Sequence, residues 1–199
     1  MADRRGIAAR VALARDDGFT LIELMVAIMV LAVGLIALVT SFDHSRDLVS
    51  VAEKTEVASH RAEQELERIL SLPYDTVAHA STPASSADPS DPASFVSGTS
   101  YQYDQGSTGP QSETLAAPAT GAPAGGVVGV APQTWNDSES RLTGRIQSFI
   151  TWTGDYCTAA DRTACAKRVT VAVTVGGPSP LRRHVVMSTV MTSPVGTGS

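Results

Sequence analysis

Residues 18–42 read GFTLIELMVAIMVLAVGLIALVTSF. From Phe19 to Phe42, Glu23 is the only charged residue among 24. As an α-helix the stretch from Phe19 to Val39 rises about 32 Å, close to the ~30 Å hydrocarbon core of a bilayer. Before it, residues 1–18 (MADRRGIAARVALARDDG) carry Arg4, Arg5, Arg10 and Arg15. Few basic residues follow closely, so the positive-inside bias puts residues 1–18 in the cytoplasm and the remainder outside. A secretory signal peptide has an apolar region of only about 7–15 residues and a small-residue cleavage site. This run is longer, and Thr40-Ser41-Phe42-Asp43 is a poor site. A helix apolar on every face would need a much larger protein to bury it. A plain signal anchor accounts for everything except Glu23. A carboxylate in hydrocarbon is costly unless paired, and by default it marks a function.

The hexapeptide Gly18-Phe19-Thr20-Leu21-Ile22-Glu23, with its basic leader and apolar run, resembles the processing site of type IV prepilins and type II secretion pseudopilins. The resemblance implies that a membrane aspartyl peptidase, the prepilin peptidase, cuts between Gly18 and Phe19. It also implies that the enzyme N-methylates Phe19, and that Glu23 is the family's hallmark acid at the fifth mature position. Asp16 and Asp17 depart from the pattern, because many prepilins have a basic residue before the glycine. The physics agrees with the resemblance. Cleavage creates an amine at the head of an apolar helix, and both that amine and Glu23 are expensive in hydrocarbon. Pairing the amine of one subunit with Glu23 of another relieves both and rewards one axial register. Gly34 within the span either allows close helix packing or is incidental.

Residues 43–72 contain no Pro or Gly. Small or apolar residues recur at Leu48, Val51, Thr55, Ala58, Ala62, Leu66 and Ile69, a helical stripe. Pro73 ends it. The expected element is one helix from Phe19 to Leu72, up to 54 residues. Its first part, 19–42, is membrane or filament core, and 43–75 is its amphipathic continuation; the alternative for the latter is a coiled-coil stalk. His60-Arg61-Ala62-Glu63 and the acids Glu63, Glu65 and Glu67 read as a solvated face. Residues 76–133 hold seven of the 11 prolines and seven of the 16 glycines. They read as a flexible loop, with a short strand at Tyr101 and Tyr103. Arg145–Thr153, Arg168–Val175 and Arg183–Met191 read as strands, the second alternating Val and Thr/Ala with a period of two. Residues 134–192 therefore form an antiparallel sheet of three or four strands, covered on one face by residues 48–72, and 193–199 are a flexible tail. The fold class is α+β. A long N-terminal helix on a small antiparallel sheet is also what the resemblance implies.

Cys157 and Cys165 lie between the first two of these strands, outside the cytoplasm by the topology above, where disulfides persist. A structural staple is expected; a redox pair is the alternative, but CxxC spacing is lacking. With 15 Lys+Arg against 20 Asp+Glu, the net charge of −5 argues against general nucleic-acid binding. His44, His60, His79 and His184 are scattered, and neither H-E-x-x-H nor G-x-S-x-G occurs. Gly121–Gly129 lacks the pattern of a phosphate loop. No catalytic, cofactor or metal set is expected. Trp152 reads as core.

The run Met29–Leu38 and the helix end Ala62–Asp75 resemble the type IV pilus modification, PilV-like, minor pilins. The implied role is a structural subunit in pilus assembly, its partners being the prepilin peptidase, other pilin subunits, the assembly machinery and, before assembly, the bilayer. An I-type pseudopilin of type II secretion is the alternative within the class. A signal-anchored extracytoplasmic binding module is the alternative outside it.

Overall fold

The computed structural model describes residues 20–104, 111–154, 165–176 and 184–193. Contacts divide the chain into two units, Met1–Asp47 and Leu48–Ser199. One helix, α1 (Leu21–Leu70, 50 residues), supplies most of the first unit and enters the second. Its expected bounds were two residues wider at each end. At the start, Thr20 Oγ1 accepts the Glu23 N–H at 3.3 Å, satisfying one of the donors a helix leaves orphaned. At the end, Leu72 N–H closes a tighter turn onto Ile69 O before Pro73 stops the helix.

Among the described residues, nothing covers the apolar side chains of α1 in the first unit. Leu21 is 77% exposed and Phe42 66%, and the span is long and apolar enough to cross a membrane. In the second unit the helix buries Ala58, Ala62, Glu65 and Ile69, spaced by four, three and four. The docked stripe starts later than the sequence suggests. Leu48 and Val51 are 71% and 51% exposed, and Thr55 is exposed as well.

Three short strands follow, β1 (Val96–Ser97), β2 (Ser100–Gln102) and β3 (Ser112–Thr114), in one small antiparallel sheet. A four-stranded antiparallel meander completes the unit: β4 (Gln133–Asp137), β5 (Leu142–Thr153), β6 (Ala166–Val175) and β7 (Val185–Met191). The expected strands are β5, β6 and β7; β4 was not foreseen. Gly144 is where β4 and β6 close on β5. A Cβ there would sit 2.0 Å from Thr174 O and 2.7 Å from the Trp135 ring.

Strand alternation sorts the meander into two faces. Ile150, Trp152, Val169, Val171 and Val173 join Ala58, Ala62 and Ile69 in one core. Phe149 and Ala172 point the other way and pack with Ala93, Val96, Tyr101 and Leu115. Tyr101 lies flat on Phe149, ring centroids 4.0 Å apart and planes 10° apart. The Pro/Ser/Gly/Ala-rich segment, expected as a loop, is irregular over most of its described length. It nevertheless packs on both faces: Ala93, Val96, Tyr101 and Leu115 cover the face of the meander that the helix leaves open, while Ala78, Ala116, Ala122 and Val128 join the helix-side core. Its few large side chains act as plugs, and its small residues let the backbone lie close.

β5 has 12 residues and β4 only five, so the β4-side edge of β5 is unpaired beyond Ile146. There the Ile150 carbonyl accepts from Ala116 N–H at 2.8 Å, and the Ile150 N–H donates to His79 Nε2 at 3.0 Å. The segment thus satisfies two backbone groups that would otherwise be buried and unpaired.

Candidate functional site

Glu23 sits in the first turn of α1, where a carboxylate is favoured by the helix dipole. It is exposed, as are its apolar neighbours Ile22, Leu24 and Met25. No cation is paired with it among the described residues. Among the described residues nothing lies within 4 Å of where a Cβ at Gly34 would be, so their contacts do not require the glycine. Gly18 and Phe19, the expected cleavage position, lie outside the described residues. The arrangement is an acid at the head of an uncovered apolar rod. Chemically it can accept hydrogen bonds from an ammonium, and it cannot be satisfied by lipid.

The second candidate region lies where α1 ends. Cys165 is buried and disulfide-bonded, and its expected partner, Cys157, lies outside the described residues. The Cys165 carbonyl accepts the Tyr74 hydroxyl at 2.5 Å. Two residues on, Lys167 is 1% exposed. Its Nζ donates to Tyr74 O at 2.6 Å and lies 4.3 Å from the Tyr74 ring centroid and 5.1 Å from that of Trp152. Burial lowers the Lys167 pKa, partly opposed by Asp75. Burial, and then Asp75, raise that of Tyr74. This cluster bolts the helix exit to the start of β6.

Other polar residues are structural. Glu65 corrects the sequence reading of a solvated acidic face. It is 8% exposed, takes two bonds of 2.7 Å from Arg68 and receives Ser148 Oγ at 3.4 Å. The Arg68 pKa is raised, chiefly by that hydrogen bond. Neighbouring Glu63 and Glu67 are exposed, as expected. Glu113 of β3 holds Arg168 at 3.0 Å and Thr151 at 2.5 Å, clamping the small sheet to the meander. His79, which nothing in the sequence distinguished from the other three histidines, is fully buried. Its Nδ1 lies 3.3 Å from Val128 O, and burial pushes its pKa down to about 4 against the pull of the Val128 and Gly129 carbonyls. His44 and His60 are exposed. Among the described residues no group of three His, Cys, Asp or Glu side chains is placed to hold a metal.

Residues 13–39 match a protein-family model described as the prokaryotic N-terminal methylation motif. The matched span brackets Gly18, Phe19, Glu23 and most of the apolar run. No curated protein and no solved structure matches the chain.

Proposed function

We propose that this chain, a type IV prepilin-like protein by its N-terminal methylation motif, is a minor type IV pilin that joins a filament through its N-terminal helix. The observation that carries the reading is an uncovered apolar helix with a single acid in its first turn, inside the matched motif. The prepilin peptidase cleaves after Gly18 and methylates Phe19. Before cleavage the helix spans the inner or cytoplasmic membrane, its leader in the cytoplasm and its folded domain outside. On assembly it leaves lipid for a bundle of like helices. Glu23 then meets the new amine of a neighbouring subunit, a pairing that desolvates both charges together rather than singly. Cys157 and Cys165 close the loop between β5 and β6 as a staple. The role is structural and needs no cofactor.

The test is N-terminal mass spectrometry of the protein from its native membrane. The expected mature chain begins at N-methylated Phe19. An intact leader would make it a plain signal-anchored protein and overturn the proposal. Co-purification of the mature form with sheared pili, rather than with a type II secretion apparatus, is the further result expected of a minor pilin.

A further inference from the structure

We propose that the cavity beside the exit of α1 binds a monocarboxylate with an apolar body, its carboxylate pairing with the Lys167 ammonium. Several stretches of chain meet there. Tyr74 and Asp75 follow the helix, Pro123 comes from the Pro/Ser/Gly/Ala-rich segment, and Trp152 and Lys167 belong to β5 and β6. The register sets Trp152 and Lys167 directly opposite each other. The cavity between these residues holds about 340 Å³. That volume lies within the range of small-molecule sites, about 300–1,000 Å³.

The charge on Lys167 calls for a partner. The residue is 1% exposed. An ammonium has three donors, and one of these goes to Tyr74 O at 2.6 Å. Among the described residues no carboxylate lies within ion-pair distance of Nζ. The Tyr74 and Trp152 rings, 4.3 and 5.1 Å away at their centroids, attract a cation. Ring faces replace only part of the hydration an ammonium loses on burial. Buried charges are ordinarily paired. A methionine at this position would pack against the same rings with no charge to desolvate. Fastening the helix exit to β6 therefore accounts for the rings and the carbonyl, and not for the missing counter-ion.

The lining selects the occupant. Lys167 is the one cation lining the cavity among the described residues, so it matches a single negative charge. Asp75, exposed on the rim, repels a second one and disfavours dianions. The rest of the wall is mainly apolar, with Trp152, Tyr74 and Pro123 suited to an aromatic or aliphatic body. A neutral ligand of the same shape would leave the ammonium without its counter-ion. A free acid and the apolar C-terminal residue of a polypeptide both carry the required carboxylate.

The experiment titrates the full chain in phosphatidylcholine nanodiscs, with empty nanodiscs as the blank, and is read by saturation-transfer NMR. The probes are phenylacetate, its neutral amide phenylacetamide, and N-acetylglycylphenylalanine with a free carboxylate. At least one acid should bind, and phenylacetamide should bind about tenfold or more weakly, a loss of about 1.4 kcal/mol. Tighter binding of phenylacetate identifies a free acid as the occupant, and tighter binding of the dipeptide identifies a chain end. Lys167→Met should weaken the acids by a similar factor. Asp75→Asn, at an exposed position, removes the repelling charge and should tighten them about twofold or more. Glu67→Gln, exposed on α1, should leave affinity unchanged. Binding of neither acid overturns the proposal. So does equal affinity for phenylacetate and phenylacetamide, or wild-type affinity in Lys167→Met. Where Lys167→Met fails to fold, unchanged or weakened affinity in Asp75→Asn overturns it instead.

Discussion

Glu23 stands out in the sequence because its cost is local: one carboxylate in a run that is otherwise apolar needs no tertiary context to be noticed. Two predictions follow at this scale. Glu23→Ala should leave leader cleavage largely intact and impair incorporation, since the variant keeps the scissile bond and loses the register device. Pilus fractions with as much variant as wild type would refute the pairing argument. Gly18→Leu should trap the full-length form, because bulk is added at the bond to be cut; normal processing on an immunoblot would remove the cleavage assignment. Other residues were illegible for a physical reason. Glu65 sits between Glu63 and Glu67, and no one-dimensional pattern distinguishes it. Only the approach of Ser148 from β5 makes it a buried, bidentate partner of Arg68. Lys167 was hidden likewise, since its carbonyl and ring partners lie more than 90 positions away or across the sheet.

Among the elements, helix and strands obey the periodicity of their own residues, and α1, β5, β6 and β7 could be read to within a few positions. The docked part of the helix could not. Leu48 and Val51 share the stripe with Ala58 and Ala62 yet are exposed, because a helix stripe runs on past the sheet it packs against. Small side chains at Ala58 and Ala62, both fully buried, let the helix backbone approach the sheet. β4 was missed because Gln133–Asp137 has no apolar alternation; its pairing rests on Trp135 lying against Gly144. The expected staple is an element-scale device, tying the exit of β5 to the entry of β6. Its loss through Cys157→Ser should cost roughly 2–3 kcal/mol by the chain-entropy estimate for a loop this short. The paired comparison is denaturation of the oxidised full-length protein and of the variant. Free thiols at both positions in non-reducing mass analysis would remove the staple, as would identical midpoints.

For the molecule as a whole, composition misleads about residues 76–133. A segment rich in Pro, Ser, Gly and Ala reads as loop, and only long-range placement reveals what its exceptions do. Leu115 and Ala116 pair along the open edge of β5, Tyr101 roofs Phe149, and His79 inserts its ring between two backbone groups. His79 makes the attachment of this segment sensitive to acid. Its neutral ring accepts the Ile150 N–H through Nε2, so a proton added there removes the lone pair and leaves a buried charge facing an N–H. The folded pKa of about 4 lies below the unfolded value near 6.5. In that window the unfolded chain binds more protons than the folded one. The histidine's contribution is therefore complete above pH ~6.5 and is lost as pH falls toward 4, about 3 kcal/mol in all. Denaturant midpoints of the full-length protein at pH 7, 5.5 and 4.5 should fall for the wild type. His79→Gln retains an acceptor without titrating, so it should start lower at pH 7 and decline less. Parallel declines in the two proteins would show that the acid sensitivity resides in the carboxylates and that the His79 contact does not govern how this segment is held to β5.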